Sequence, residues 1–220
     1  MRLVVQHAMA PLACAGLLAA APVHAVRADE ETTAVVFWEF ANCALDRDRS
    51  RAELMLSAPR NSDARKKATN DLAIKNSRCL KDGGKLKMSG GIMRDTVAGA
   101  YVARHFSRAV PADFAAVPEI YTEARLAGTA EPEARLAIGL RRFAECVARK
   151  EYPRVAALLA TKPFSDEETA LFGQLGNTMN SCIPVEQGTK VGFGRIDLRA
   201  RLGTVAYELA AAAKLEPTNA

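Results

Sequence analysis

Four cysteines carry the most definite chemistry in this 220-residue chain. Cys43 and Cys79 stand 36 positions apart, as do Cys146 and Cys182, and a slide of 103 residues lays one pair on the other. Thiols can form structural bridges, attack substrates or hold a metal. No C-x-x-C motif occurs, and beyond the first 25 residues His105 is the sole imidazole, so a zinc site would lack nitrogen ligands. Structural disulfides are the better reading, and no metal or other cofactor is expected. Cys14 falls within the first 25 residues, read below as a leader, and the remaining four cysteines allow three pairings. A unit that once folded alone favours Cys43 with Cys79 and Cys146 with Cys182, each closing a loop worth roughly 4 kcal/mol in the chain-entropy model.

Basic residues come next. Lys81-Asp82-Gly83-Gly84-Lys85-Leu86-Lys87 and Gln187-Gly188-Thr189-Lys190-Val191-Gly192 each lead into a helical pattern. A glycine-rich turn before a helix can present backbone N–H groups to phosphate while lysines add charge. The contacts would be Lys85, Lys87 and Arg94 in one segment, and Lys190, Arg195 and Arg199 in the other. Neither the P-loop nor the dinucleotide pattern is present, and a helix C-terminal glycine followed by a solvated loop is the plainer reading. Arg94 and Arg199 recur at equivalent places, where a salt bridge tying each unit together is preferred to a binding role.

The remaining candidates are weaker. Glu39, Asp71 and Glu145 read as surface charges, although two carboxylates brought together by the fold would make an acid/base pair. His105 reads as an ordinary half-buried or surface histidine, and without G-x-S-x-G a hydrolytic triad is disfavoured. Phe37, Trp38 and Phe40 resemble a ligand platform, but core packing is favoured because Phe143 repeats Phe40 in register.

The elements that must position these residues are helical. From Phe40/Phe143 to Leu80/Ile183 the slide needs no gap, and the identities include Cys43/Cys146, Arg51/Arg154, Leu56/Leu159, Ser62/Ser165, Asp63/Asp166 and Leu72/Leu175. Apolar residues recur at helical spacing, and alternating β-branched runs are scarce. Ser50-Arg51-Ala52-Glu53 and Ser165-Asp166-Glu167-Glu168 have capping-box spacing; Pro153 stands in the column of Ser50, suited to a first helical turn. With two residues inserted in the second loop, Met93-Arg94 aligns with Leu198-Arg199. The expected fold is all-α, with two tandem, pseudo-symmetric units of about four helices each, every unit holding one disulfide. The first spans 26–106 and the second 132–220, with a connector at 107–131 containing a short helix.

Residues 1–25 read as a secretory signal peptide: Arg2, an apolar stretch from Met9 to Pro22, then Val23-His24-Ala25. Its removal takes away Arg2 and lowers the formal charge from +5 to +4. No later segment is apolar enough to span a bilayer, so the mature chain is not expected to be transmembrane. That charge, without a basic run interleaved with aromatics, argues against nucleic acid. A periplasmic or secreted location is expected.

The run Met93-Arg94-Asp95-Thr96-Val97-Ala98-Gly99-Ala100-Tyr101, echoed from Leu198 to Tyr207, resembles uncharacterised exported proteins of alphaproteobacteria. The resemblance implies an envelope location and duplication and supplies no activity. Binding or assembly at the seam of the two units is the favoured function, with an envelope protein, a peptide or an anionic lipid or glycan as partner. The alternatives are an envelope enzyme using paired carboxylates and a carrier of anionic ligands on the Gly/Lys loops.

Overall fold

A computed structural model describes residues 23–59, 62–80, 90–107, 114–183, 194–215 and 217. Among them the chain is all-helical, with no strand. Lys85, Lys87 and Lys190 lie outside the described residues, as does most of the expected leader.

Helix α1 (Val23–Ser57) consists of two segments that meet at Asp48, whose φ of −152° and ψ of 58° interrupt the helical path. The Asp48 carboxylate accepts the Arg51 N–H at 3.3 Å and pairs with the Arg51 guanidinium, so Asp48 caps the second segment. The sequence pointed to Ser50 for that role; Ser50 instead lies inside the turn and donates to Asp48. Helix α2 (Asp63–Lys75) starts at Ser62, whose hydroxyl accepts the Arg65 N–H. A 3₁₀ turn (Ser77–Cys79) follows, and Cys79 is bonded to Cys43 of α1. The disulfide thus closes the open end of the α1–α2 hairpin.

A second disulfide-closed helical hairpin follows later in the chain. Helix α5 (Pro132–Ala160) kinks at Glu151 (φ −135°, ψ 37°), which stands 103 residues after Asp48 and pairs with Arg154. Pro153 explains the break: it has no N–H, and its ring collides with the carbonyl four residues back. Helix α6 (Asp166–Cys182) starts at Ser165, which accepts the Glu168 N–H, and Cys146 is bonded to Cys182. In both bridges the Cα atoms are 5.7 Å apart.

Helices α3 (Gly90–Tyr101) and α7 (Arg195–Ala212) follow their respective hairpins. Packing runs α2 on α1, α1 on α3, α3 on α7, α7 on α5 and α5 on α6. One hydrophobic core passes through both hairpins and includes Phe40, Leu72, Val97, Leu158, Leu175 and Leu202. Leu72 and Leu175, identical columns of the slide, are both fully buried. A π-helical turn (Val102–Phe106) extends α3 and brings His105 onto the Tyr101 ring at 4.6 Å. His105 is 6% exposed, a core residue rather than the half-buried or surface position expected.

Between the hairpins lie a 3₁₀ turn (Phe114–Ala116) and a short helix, α4 (Glu123–Ala127). Glu145 fastens this stretch to α5. Its carboxylate accepts the N–H groups of Ile120 and Tyr121 at 2.9 and 2.8 Å and pairs with Arg149, which donates to the carbonyls of Phe114, Val117 and Pro118. Glu145 is therefore a buried staple, not the surface charge its helical position suggested. Asp71, by contrast, does face outward, paired with Lys67 at 2.9 Å. No described helix is long and apolar enough to cross a membrane.

Candidate functional site

Two clefts flank the first turns of α3 and α7. The larger, about 570 Å³, is bounded by α1, α3, α7 and the α5–α6 corner, and Phe37, Trp38, Ile92, Leu159, Phe164 and Ile196 give it an apolar wall. The aromatic cluster of α1 is thereby divided. Phe40 is 2% exposed and packs in the core, whereas Phe37 and Trp38 are partly buried and face the cleft.

The polar wall is built from interlocked charges. Glu168 is 1% exposed. Its two oxygens lie 2.6 Å from Arg199 and 2.6 Å from Arg195, and it also accepts the Phe164 N–H at 2.7 Å. The glutamate expected to reach back to its own N-cap thus reaches one residue further. That bond holds Phe164 at φ 64°, a left-handed conformation uncommon for an aromatic residue. Arg195 stacks on Phe164 and Phe172 at 5.1 and 5.5 Å. Arg199 donates to the carbonyls of Leu158, Leu159 and Thr161, closing the C-terminal end of α5. Burial pulls the Arg199 pKa downward, and the Glu168 charge opposes that.

Arg94 and Arg199, aligned in the sequence, do different work. Arg199 ties α7 to its own hairpin. Arg94 crosses from α3 to α7: its guanidinium pairs with Glu208 at 2.9 Å, and Glu208 also accepts the Tyr121 hydroxyl at 2.5 Å. Both form ion pairs, but Arg94 pairs across to α7 and not within the unit to which the sequence reading assigned it.

Asp95 lies in the wall between the two clefts. Burial pushes its carboxyl above the usual aspartate range, against the Thr204 hydroxyl that donates to it at 2.6 Å and the charges of Arg141, Arg94 and Arg201. The other acids of the apolar cleft with defined contacts are held by bases: Glu168 by two arginines, and Asp197 by Arg201 at 3.1 Å. Among the described residues no three His, Cys, Asp or Glu side chains gather as a metal site would require.

The second cleft, about 480 Å³, opens beside α2 and the start of α3. Its charged lining is Arg65, Lys66, Arg94 and Arg141 against Asp95, with Ser62, Thr69 and Asn70 completing the polar rim. Gly91, Asp95 and Arg141 belong to both clefts. Sequence reasoning singled out Arg94, Arg195 and Arg199 but missed Arg65, Asp95, Arg141 and Glu168. Each of the four sits on a helix among ordinary charged neighbours, and only the packing of separate helices brings them together.

Comparison with protein-family models, with curated proteins and with solved structures finds no significant match to this chain.

Proposed function

We propose that this protein is a non-catalytic binding protein whose apolar cleft at the α3–α7 seam takes an amphipathic small molecule. The observation that carries this reading is the cleft itself. Its volume falls within the range of roughly 300–1,000 Å³ usual for small-molecule sites, and it joins an apolar, aromatic wall to a few converging polar groups. Asp95, with its raised pKa, is the feature that speaks for an enzyme. The fixed pairing of Glu168 and Asp197 with arginines weighs against their acting as its acid/base partner.

The architecture is read in the same way. Tandem, pseudo-symmetric units are supported by the paired disulfides, by the Asp48 and Glu151 kinks in one column of the slide, and by the Ser62 and Ser165 caps in another. Helices α3 and α7 then meet near the pseudo-two-fold axis, and a cleft beside such an axis is shaped by both copies. An extracytoplasmic location is supported by two disulfides, which persist in oxidising compartments.

Trp38 is the single tryptophan and lines the cleft, so its emission reports occupancy. Titration with decanoate should shift that emission to the blue and saturate. Ala200→Phe, which fills the cleft from α7, should abolish the response. A wild-type signal that never saturates, or an unaltered response in the filled variant, would sink the reading.

A further inference from the structure

We infer that the apolar cleft at the α3–α7 seam is selective for a flat aromatic ring, which Phe164 of the α5–α6 corner and the Phe37–Trp38 pair of α1 receive from two of its walls. That preference deepens, and rests on, the reading of the cleft as a small-molecule site. All three side chains line the cleft and are partly buried. The rings of Phe37 and Trp38 meet no other ring and no cation among the described residues, so their faces are open to a guest. Aromatic rings attract one another beyond the apolar area they bury. A flat ring gains that attraction at each wall, and an alkyl chain does not.

Phe164 holds its ring there against backbone strain. At φ 64° the Cβ of an L residue crowds the following carbonyl oxygen, and only glycine, with asparagine and aspartate through their local hydrogen bonds, visits that region routinely. On the sequence slide the matching column holds Asn61, a residue of the tolerant kind. The bond from the Phe164 N–H to the buried Glu168 carboxylate, 2.7 Å, sustains the conformation. Strain that the surroundings maintain in this way is a mark of ligand clamps. The stacking of Arg195 does not account for it, since Arg195 also lies over Phe172 at 5.5 Å and pairs with Glu168 at 2.6 Å.

Hairpin packing does not ask for these rings either. Phe37 and Trp38 fall in the columns of Leu140 and Arg141, so the α5–α6 hairpin closes without aromatics at the places where the α1–α2 hairpin carries them. Phe40 and Phe143 share a column and pack in the core. The aromatic column common to the hairpins is thus a core position, whereas Phe37, Trp38 and Phe164, which they do not share, face the cleft.

The test is calorimetric titration of the full chain with decanoate and with 2-naphthoate, which carry the same head group on apolar bodies of nearly equal size. Saturable binding tests the small-molecule reading, and the ratio of the two affinities tests ring selectivity. Naphthoate should bind wild type about tenfold tighter than decanoate, the worth of about one ring–ring contact. Phe164→Leu removes the ring and keeps an apolar side chain, and should narrow that preference to about twofold while leaving decanoate affinity within about threefold of wild type. Phe37→Leu, at an ordinary helical position, should narrow it in the same direction and serves if the first variant fails to fold, which circular dichroism reveals. Saturable decanoate binding with naphthoate no tighter overturns ring selectivity and leaves the small-molecule reading standing; no saturable binding of either ligand overturns both. A preference unchanged in folded Phe164→Leu and in Phe37→Leu overturns the inference as well.

Discussion

Gly99 of α3 and Gly203 of α7 meet backbone to backbone: a Cβ built on Gly203 would lie 2.8 Å from the Gly99 Cα. No side chain can separate the helices there without moving one of them. Gly203→Ala is therefore expected to destabilise the fold, although alanine is the better helix former by about 1 kcal/mol. Overpacking costs typically 1–3 kcal/mol, and here the obstructing atoms are backbone. A net loss of about 1–2 kcal/mol should appear as a lower urea midpoint. Gly99→Ala should cost less, because its nearest neighbour is the Leu159 Cδ2 methyl at 3.2 Å, which can rotate away. A raised midpoint for Gly203→Ala would contradict the close crossing.

Glu168 neutralises Arg195 and Arg199 from a fully buried position. Glu168→Gln keeps the shape and removes the charge, leaving two guanidinium groups facing each other. Breaking a buried pair from one side costs about 3–5 kcal/mol. The expected result is a large drop in thermal midpoint, and it should be accompanied by faster amide exchange at Phe164, whose N–H the carboxylate accepts. A change within ~0.5 kcal/mol, the range of ordinary surface substitutions, would show that the triad is dispensable.

Each disulfide closes the open end of a helical hairpin. Replacing Cys146 and Cys182 together by serine should cost about 4 kcal/mol, and so should replacing Cys43 and Cys79. Equal losses follow from equal loop lengths, since both bridges span a sequence separation of 36. Denaturation with and without reductant measures this directly. A loss confined to one bridge would mean that the hairpins do not contribute alike.

The raised Asp95 pKa has a definite sign for stability. Because the folded state holds this proton more tightly than the unfolded chain, stability falls as pH rises from the ordinary aspartate value, about 3.9, through the higher folded value. Asp95→Asn removes that dependence while keeping an acceptor for the Thr204 hydroxyl. The variant should therefore gain stability relative to wild type as pH increases through that window. Urea titrations at several pH values would reveal it, and parallel wild-type and variant curves would exclude it.

Helical class and both cysteine pairings were legible in the sequence, for a local reason. Apolar spacing, the serine caps at Ser62 and Ser165, and a bridge joining the arms of one hairpin all depend on residues near one another in the chain. The kinks were half legible: Pro153 announced its own break by lacking an N–H, whereas Asp48 achieves one through a side-chain bond that spacing alone assigned to Ser50.

Tertiary structure decided the rest. Glu145 and His105 looked superficial on their own helices and are buried because the connector and the Tyr101 ring cover them. Phe37 and Trp38 line a cleft only because α7 and the α5–α6 corner stop short of them. Arg94 and Arg199 occupy matching columns of the sequence slide, yet one reaches from α3 to Glu208 of α7 and the other from α7 to Glu168 of α6. Charge partners are chosen by distance in space, and the docking of α3 on α7 sets that distance for residues more than a hundred positions apart.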